Sequence, residues 1–257
     1  MPFTFLAHQA PVLPLVLLRP RWFDGVALCV GSMAPDLSYV VSGTRHGFVS
    51  HTGPALLWFC LPTTLLICAL TRRAWPPLCA HLPRPARARL TPFTGPAPAL
   101  PITVISALIG AASHVLLDAC THPRGLGVAR WPWLKTVALQ LGDRPVPVYS
   151  LLQGPGSLVL ALLAVLCLRA IARRGAASAD PPVLATTTAS RRCFAVVAAP
   201  GLGLALVVSL ATWPIGGLPA LILRGATLGF VALVVAALLA SRATASVASR
   251  DGSPPRP

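Results

Sequence analysis

Glutamate is absent from this chain of 257 residues, and lysine occurs once, at Lys135. Charged residues make up only 11% of the sequence against 55% hydrophobic, with a mean hydropathy of +0.73. That shortage of charge excludes a soluble domain of this length and points to an integral membrane protein. All six acidic residues are aspartates, Asp24, Asp36, Asp118, Asp143, Asp180 and Asp251, so each carboxylate can be weighed singly. Paired cysteines are lacking too: the seven cysteines include no C-x-x-C, which argues against a disulfide or zinc-ribbon framework. Most, Cys29, Cys60, Cys68, Cys120, Cys167 and Cys193, lie in or beside apolar runs and read as small buried hydrophobes, Cys120 alone having neighbours that suit a soft ligand. No basic residue precedes the apolar run "PVLPLVLL" and no A-x-A-like site follows it, so no cleavable signal peptide is expected.

What the chain does have is long apolar runs. A spanning helix needs about 20 mainly apolar residues. Residues 54–71 and 193–213 carry no charge, and 150–171 and 218–240 carry one arginine each near an end, where it can snorkel. Residues 101–119 make a fifth candidate and 22–41 a sixth, whose Pro35 and Asp36 end or break the helix near one membrane face. Residues 8–18 are too short for an ordinary span and suit a shallow helix. The fold class expected is therefore all-α: a polytopic membrane bundle of about six transmembrane helices plus a short N-terminal helix.

The net charge of +15 could indicate nucleic acid or anionic lipid, but its distribution points to topology instead. Placing residues 72–100 inside puts fifteen of the twenty-one basic residues on the cytoplasmic side, with Arg45, Arg124, Arg130, Lys135 and Arg144 outside and Arg224 within the last span. No nucleic-acid partner is needed, membrane lipid is the partner expected, and nothing defines an oligomer. The protein is expected in the cell membrane, multi-pass, with a cytoplasmic C-terminus. Residues 72–100 and 174–190 read as flexible inner linkers. In the outer segment 120–150, Trp131 and Trp133 precede "LKTVALQLG", an amphipathic pattern of the kind that lies at an interface.

Within "SHVLLDACTH", His114, Asp118 and His122 follow one another at intervals of four. Each helical residue turns about 100°, so the three share one face if the helix persists to 122. Three ionisable residues on one stripe of a membrane helix need partners or a purpose. Asp36 at the outer end of its run, and His46 and His51 in the loop that follows, are candidates. His8 joins them if Arg19-Pro20-Arg21 is the inner turn of a helical hairpin, which leaves His81 alone in an inner loop. Imidazole and carboxylate are the ligand set of first-row metals, and an i, i+4 pair offers two ligands from one helix. The same residues could instead form interhelical hydrogen bonds that only hold the bundle together.

The segments "MPFTFLAHQAPVLPL", "GSMAPDLSY", "RHGFVSHTG", "GAASHVLLDACTH" and "VYSLLQGPGSLV", which cover most of residues 1–165, together resemble the bacterial membrane family named domain of unknown function 4184. That family is loosely similar to the membrane-bound metal-dependent hydrolases. The resemblance implies that His8, Asp36, His51, His114, Asp118 and His122 are the family's polar positions. The chain departs from the family pattern at two points: an extra residue precedes His8, and Ser38 stands where a second acidic residue is common. The division expected is a family-like membrane domain, 1–171, a cytoplasmic linker, 172–192, two C-terminal transmembrane helices, 193–241, and a disordered tail, 242–257.

The leading expectation is a metal-dependent hydrolase acting at the outer face on a membrane-proximal ester or phosphoester. Asp36, His51, His114, Asp118 and His122 would hold zinc or another divalent metal, with His8 as a further ligand or catalytic base. His46 reads as a solvated loop histidine. The alternative is a non-catalytic bundle whose His/Asp layer is structural or merely binds metal. A lipid-phosphate phosphatase lacks parts: Arg45 and His51 fit an R-x5-H spacing, but no aspartate follows His51 by four and no P-S-G-H precedes it. A transporter would carry polar residues along a path through several spans, and the last two have almost none.

Overall fold

The computed structural model describes residues 4–90, 96–178 and 186–250. Residues 251–257 of the expected tail, and 91–95 and 179–185 of the two expected linkers, lie outside the described residues. The chain forms two compact units, Met1–Ser38 with Val49–Leu66 and Pro98–Ile171, and Tyr39–Phe48 with Ile67–Ala97 and Ala172–Pro257.

The fold is an all-α bundle, and five helical stretches among the described residues are long and apolar enough to cross a membrane: Gly53–His81, Leu100–Thr121, Val148–Arg174, Thr188–Ala211 and Gly217–Thr244. Their outward faces remain apolar; Val159 and Leu162 are 68% and 60% exposed, and Val196 and Leu204 are 71% and 64% exposed. Such surfaces suit lipid, and the helical backbone satisfies its own polar groups there. The expected sixth span, 22–41, does not form one membrane-length helix, and its break falls just ahead of Pro35 and Asp36, close to where the sequence placed it. Asp24 caps α3 (Gly25–Gly31), which stops at Ser32, and a 3-10 segment, Ala34–Val41, follows. Pro35 has no N–H to give an α ladder, which favours the break. Arg72 and Arg73 do not end the first long helix, which runs on to His81. The last helix likewise continues to Arg250.

In the first unit, α1 (Thr4–Ala7) and α2 (Leu13–Leu18) precede α3. α4 (Gly53–Ala55) runs through a π-helical turn, Leu56–Cys60, into α5 (Leu61–His81). α6 (Arg84–Leu90) belongs to the second unit, and α7 (Leu100–Thr121) to the first. α3 and α7 touch backbone to backbone. A Cβ on Gly110 would meet the Leu28 carbonyl oxygen and stand 2.8 Å from the Ser32 nitrogen. Small residues permit this approach in lipid, where packing rather than water drives helix association. Asp24 fastens the other end of the same pair: its carboxylate accepts from the Val26 and Ala27 amides at 3.1 and 3.2 Å and from Thr103 Oγ1 at 2.7 Å, and its own amide donates to Ser106 Oγ at 2.9 Å.

After α7 come α8 (Leu126–Arg130), a 3-10 turn, Pro132–Lys135, and an antiparallel hairpin of β1 (Val137–Leu141) and β2 (Arg144–Pro147). The "VALQL" alternation is thus a strand period, turned at Gly142, whose φ of +60° suits glycine. α9 (Val148–Gln153) and α10 (Pro155–Ser178) form one span with a break at Gly154. Ala10 and Leu13 pack on Ala164 and Cys167 of α10, and Ala34, Cys60 and Ala111 form a second cluster.

In the second unit, α11 (Thr188–Ala211) and α12 (Gly217–Arg250) pack along each other, with Phe194, Phe230 and Val234 against Leu70 and Ala74 of α5. Arg224 does not snorkel. It is buried, and its guanidinium donates to the carbonyls of Val40, Ser42, Thr212 and Ile215 at 2.9, 2.7, 3.0 and 2.6 Å. It satisfies carbonyls that the end of α11 leaves without helical donors. His81 stacks on Phe194 at 4.6 Å and lies 2.7 Å from the Pro77 carbonyl, a packing role.

Asp24→Ala removes a helix cap and leaves Thr103 without its acceptor. It is expected to cost about 2 kcal/mol, read as earlier thermal unfolding in detergent; an unchanged transition would contradict the role given to Asp24.

Candidate metal centre

Four side chains that are distant in sequence converge in the first unit. Asp36, His51, His114 and Asp118 each offer one ligand atom, and those atoms lie within 4.8 Å of one another. The 3-10 segment after α3 supplies Asp36, the stretch just before α4 supplies His51, and successive turns of α7 supply His114 and Asp118. The site therefore lies at one end of its spans: His114 and Asp118 are in the last two turns of α7, and His51 stands just ahead of the first long helix. His114 is wholly buried, while the His51 and Asp118 side chains keep 25% and 15% exposure. The cluster is sheltered on one side and reachable on the other.

The separations bear on what the site can hold. His51 Nε2 lies 3.3 Å from both Asp36 Oδ1 and Asp118 Oδ2, and His114 Nε2 lies 3.4 Å from the same two oxygens. Charge-assisted hydrogen bonds are shorter, about 2.7–2.9 Å. Ligands held about 2.0–2.1 Å from a tetrahedral ion stand about 3.3–3.4 Å apart along each edge. The two Nε2 atoms, 3.1 Å apart, fit the same figure.

Hydrogen bonds behind the rings assign their tautomers. His114 Nδ1 donates to the Ser32 carbonyl at 2.7 Å, which leaves the neutral ring's Nε2 bare. Ser50 Oγ donates to the Pro35 carbonyl at 2.6 Å and so accepts from His51 Nδ1 at 3.1 Å, which makes Nε2 the nitrogen left bare when that ring is neutral. Ser38 Oγ, 2.8 Å from Ser50 Oγ, completes this support. Two imidazole lone pairs and two carboxylates thus face one small space, an arrangement that calls for a cation. Ser38, where a second carboxylate was expected by resemblance, instead backs His51 through Ser50.

The other expected residues are also placed. The helix does not persist to His122, which forms the C-cap of α7 with extended backbone, φ −104° and ψ 141°. Its Nδ1 still lies 3.4 Å from Asp118 Oδ1. His8 Nε2 lies 3.5 Å from that same oxygen, and the His8 ring stacks on His114 at 3.9 Å. His46 is exposed and accepts from Arg45 Nε at 3.1 Å. Cys120 lies outside the four-residue group among the described residues. Sequence reasoning missed Ser32, Ser50 and Gln153, whose side-chain amide lies 3.1 Å from His122 Nε2. Ser50 sits beside His51 and Gln153 ends "VYSLLQ", but nothing in the sequence marks the Ser32 carbonyl.

Burial holds the His8 imidazole down to about 4, with His114 adding to the effect and Asp118 and Asp36 opposing it, so His8 is neutral near pH 7. For His51, burial also pulls downward, but Asp118 and Asp36, which share a proton on its Nε2 while no metal is bound, outweigh it and raise the ring above the ordinary histidine range. A raised histidine holds its proton to higher pH, and a ligand must shed that proton to bind metal. Zinc affinity is therefore expected to fall by at least about tenfold per pH unit below roughly pH 6.5, as titration calorimetry in detergent can measure. Ser50→Ala is expected to weaken zinc binding by about 10–100-fold, and an unchanged affinity would remove Ser50 from the site's support.

No curated protein and no solved structure matches the chain. A family model does match, over residues 1–247, and so includes the last two spans, for which only hydrophobicity had spoken. This all-α membrane protein, with its His/Asp cluster at one end of the spans, belongs to the family described as domain of unknown function DUF4184.

Proposed function

We propose that this protein is a metal-dependent hydrolase of the cell membrane that cleaves an ester or phosphoester presented at the bilayer surface. The observation that carries the reading is the convergence of two imidazole Nε2 atoms and two carboxylates at separations of 3.3–3.4 Å. Asp36, His51, His114 and Asp118 hold the ion. A divalent ion bound there would lower the pKa of a coordinated water to about 7 and polarise the bond to be cleaved. The Ser32 carbonyl and the Ser50 hydroxyl keep the two rings aimed. His8, neutral and buried, serves as a proton acceptor or a further ligand, and His122 joins the ligand set from the edge. The partial exposure of His51 and His122 gives water and substrate a way in.

The arginine bias supports an orientation with this end of the spans outside and the C-terminus in the cytoplasm. Membrane lipid is then the natural neighbour of the segment after α7, where Leu126, Trp131, Trp133, Val137 and Leu141 are exposed among Arg124, Arg130, Lys135 and Arg144. Aromatic and basic side chains of this kind settle in the headgroup layer. α9, which carries Gln153, packs on both α7 and the hairpin, so this segment and the ligand cluster belong to one continuous assembly.

The experiment is metal analysis of the detergent-purified full chain, with release of product from ester and phosphoester lipids in mixed vesicles. The wild type is expected to carry zinc or manganese and to turn over at least one lipid class. His114→Ala and Asp118→Ala should lose the metal and at least about 100-fold in rate. A wild type that binds no metal when zinc or manganese is supplied would overturn the hydrolase reading and leave a bundle whose polar layer is structural.

A further inference from the structure

Asp118 does not present one face to the site. Its Oδ2 lies 3.3 Å from His51 Nε2 and 3.4 Å from His114 Nε2, while its Oδ1 lies 3.5 Å from His8 Nε2 and 3.4 Å from His122 Nδ1. Each carboxylate oxygen thus collects its own pair of imidazole nitrogens. The two lone-pair systems of a carboxylate diverge, so one ion centred among Asp36, His51, His114 and Oδ2 cannot also satisfy the pair gathered at Oδ1. Carboxylates that bridge two ions about 3.5–4 Å apart are the usual answer to this geometry. We infer that Asp118 bridges two metal sites, the second formed by Asp118 Oδ1, His8 and His122. This rests on the reading of the first site given above.

The separations at Oδ1 again exceed those of charge-assisted hydrogen bonds and sit near the edge of a ligand tetrahedron. The surroundings of the two rings agree. His8 is buried, and its Nδ1 makes no hydrogen bond among the described residues, so neither ring nitrogen has an ordinary partner that would explain why an imidazole is placed there. Its ring lies 3.9 Å from that of His114, in a stack 26° from parallel, which disfavours carrying charge on both rings. A cation shared through Asp118 is a more economical counter-charge than two adjacent protons.

His122 Nδ1 has three oxygens about it: Asp118 Oδ1 at 3.4 Å, the Asp118 carbonyl at 3.3 Å and Thr121 Oγ1 at 3.3 Å. Thr121 commits its hydroxyl proton to the Leu117 carbonyl at 3.0 Å, so it offers Nδ1 only a lone pair. None of the three is close enough for a short N–H bond. On the far side of the ring the Gln153 amide stands 3.1 Å from Nε2. As placed, the Gln153 side-chain nitrogen faces His122 Nε2; turning the amide over brings its oxygen there, so that Nε2 keeps the proton and Nδ1 is bare for the ion. The second site has three protein ligands, and His122 is 26% exposed, which leaves coordination positions for water and for an anionic oxygen of substrate.

The test is the number of metal ions per full-length chain in detergent, by elemental analysis after equilibration with zinc, and the paramagnetic resonance spectrum after loading with manganese alone. The wild type is expected to bind two equivalents and to show an exchange-coupled manganese pair. His122→Gln, at the half-exposed end of α7, and His8→Gln should each bind one equivalent and show only the six-line pattern of an isolated ion. Gln153→Ala should lower occupancy of the second equivalent alone. One equivalent in the wild type, with an uncoupled spectrum and no change in His122→Gln, overturns the bridged pair and leaves the first site standing. No metal in the wild type overturns both. The wild-type spectrum decides the matter even if a variant does not fold.

Discussion

The bond from His114 Nδ1 to the Ser32 carbonyl, 2.7 Å long and wholly buried, constrains everything around it. A neutral imidazole has one donor, and once that donor is spent on a backbone oxygen, the other nitrogen can only accept. It then faces Asp36 and Asp118, which also only accept when ionised. A low-dielectric bundle cannot tolerate such a gathering without positive charge. A divalent ion would supply that charge and would fit separations wider than those of short charge-assisted hydrogen bonds.

The bond exists because two helices meet more closely than side chains would normally allow. Gly110 on α7 admits the Leu28 carbonyl and the Ser32 backbone into the space of a Cβ, and Asp24 ties the same two helices together farther along, through Thr103 and Ser106. α3 then ends, and the tighter 3-10 path of Ala34–Val41 turns Asp36 toward α7 while freeing the Ser32 carbonyl from helical bonding. The interruption of an otherwise apolar run is what builds the site. A membrane protein can keep irregular backbone only where protein covers it or water reaches it, and this segment meets that condition.

Much of this was legible in the sequence, for physical reasons that can be named. The interval of four from His114 to Asp118 fixes their shared face as soon as the helix is granted, and shortage of charge grants the helix. Matching depths around the Arg19-Pro20-Arg21 turn anticipated that His8 and Asp36 would reach the same layer. Other features depend on tertiary context. Residues 22–41 are apolar enough to span, and Pro35 announces their break, but the bonds by which Asp24 fastens α3 to Thr103 and Ser106 are revealed by no local pattern. "VALQL" alternates with a period of two, but as five residues beside two tryptophans it suits an interfacial amphipathic element as well as a strand. His122 leaves the helix and still reaches Asp118, because the ring swings back where the backbone does not. Ser50 and Ser38 work through hydroxyls that commonly do nothing more than bond their own backbone.

The central claim is that His51, His114, Asp36 and Asp118 surround a metal ion. Anomalous diffraction at the zinc edge, from crystals of the full chain grown with zinc, tests it most directly. A peak about 2.0–2.1 Å from the Nε2 atoms of His51 and His114 and about 2.0–2.2 Å from one oxygen each of Asp36 and Asp118 is expected. Absence of a peak, with imidazole and carboxylate drawn together to about 2.7–2.9 Å as protonated pairs, would contradict it.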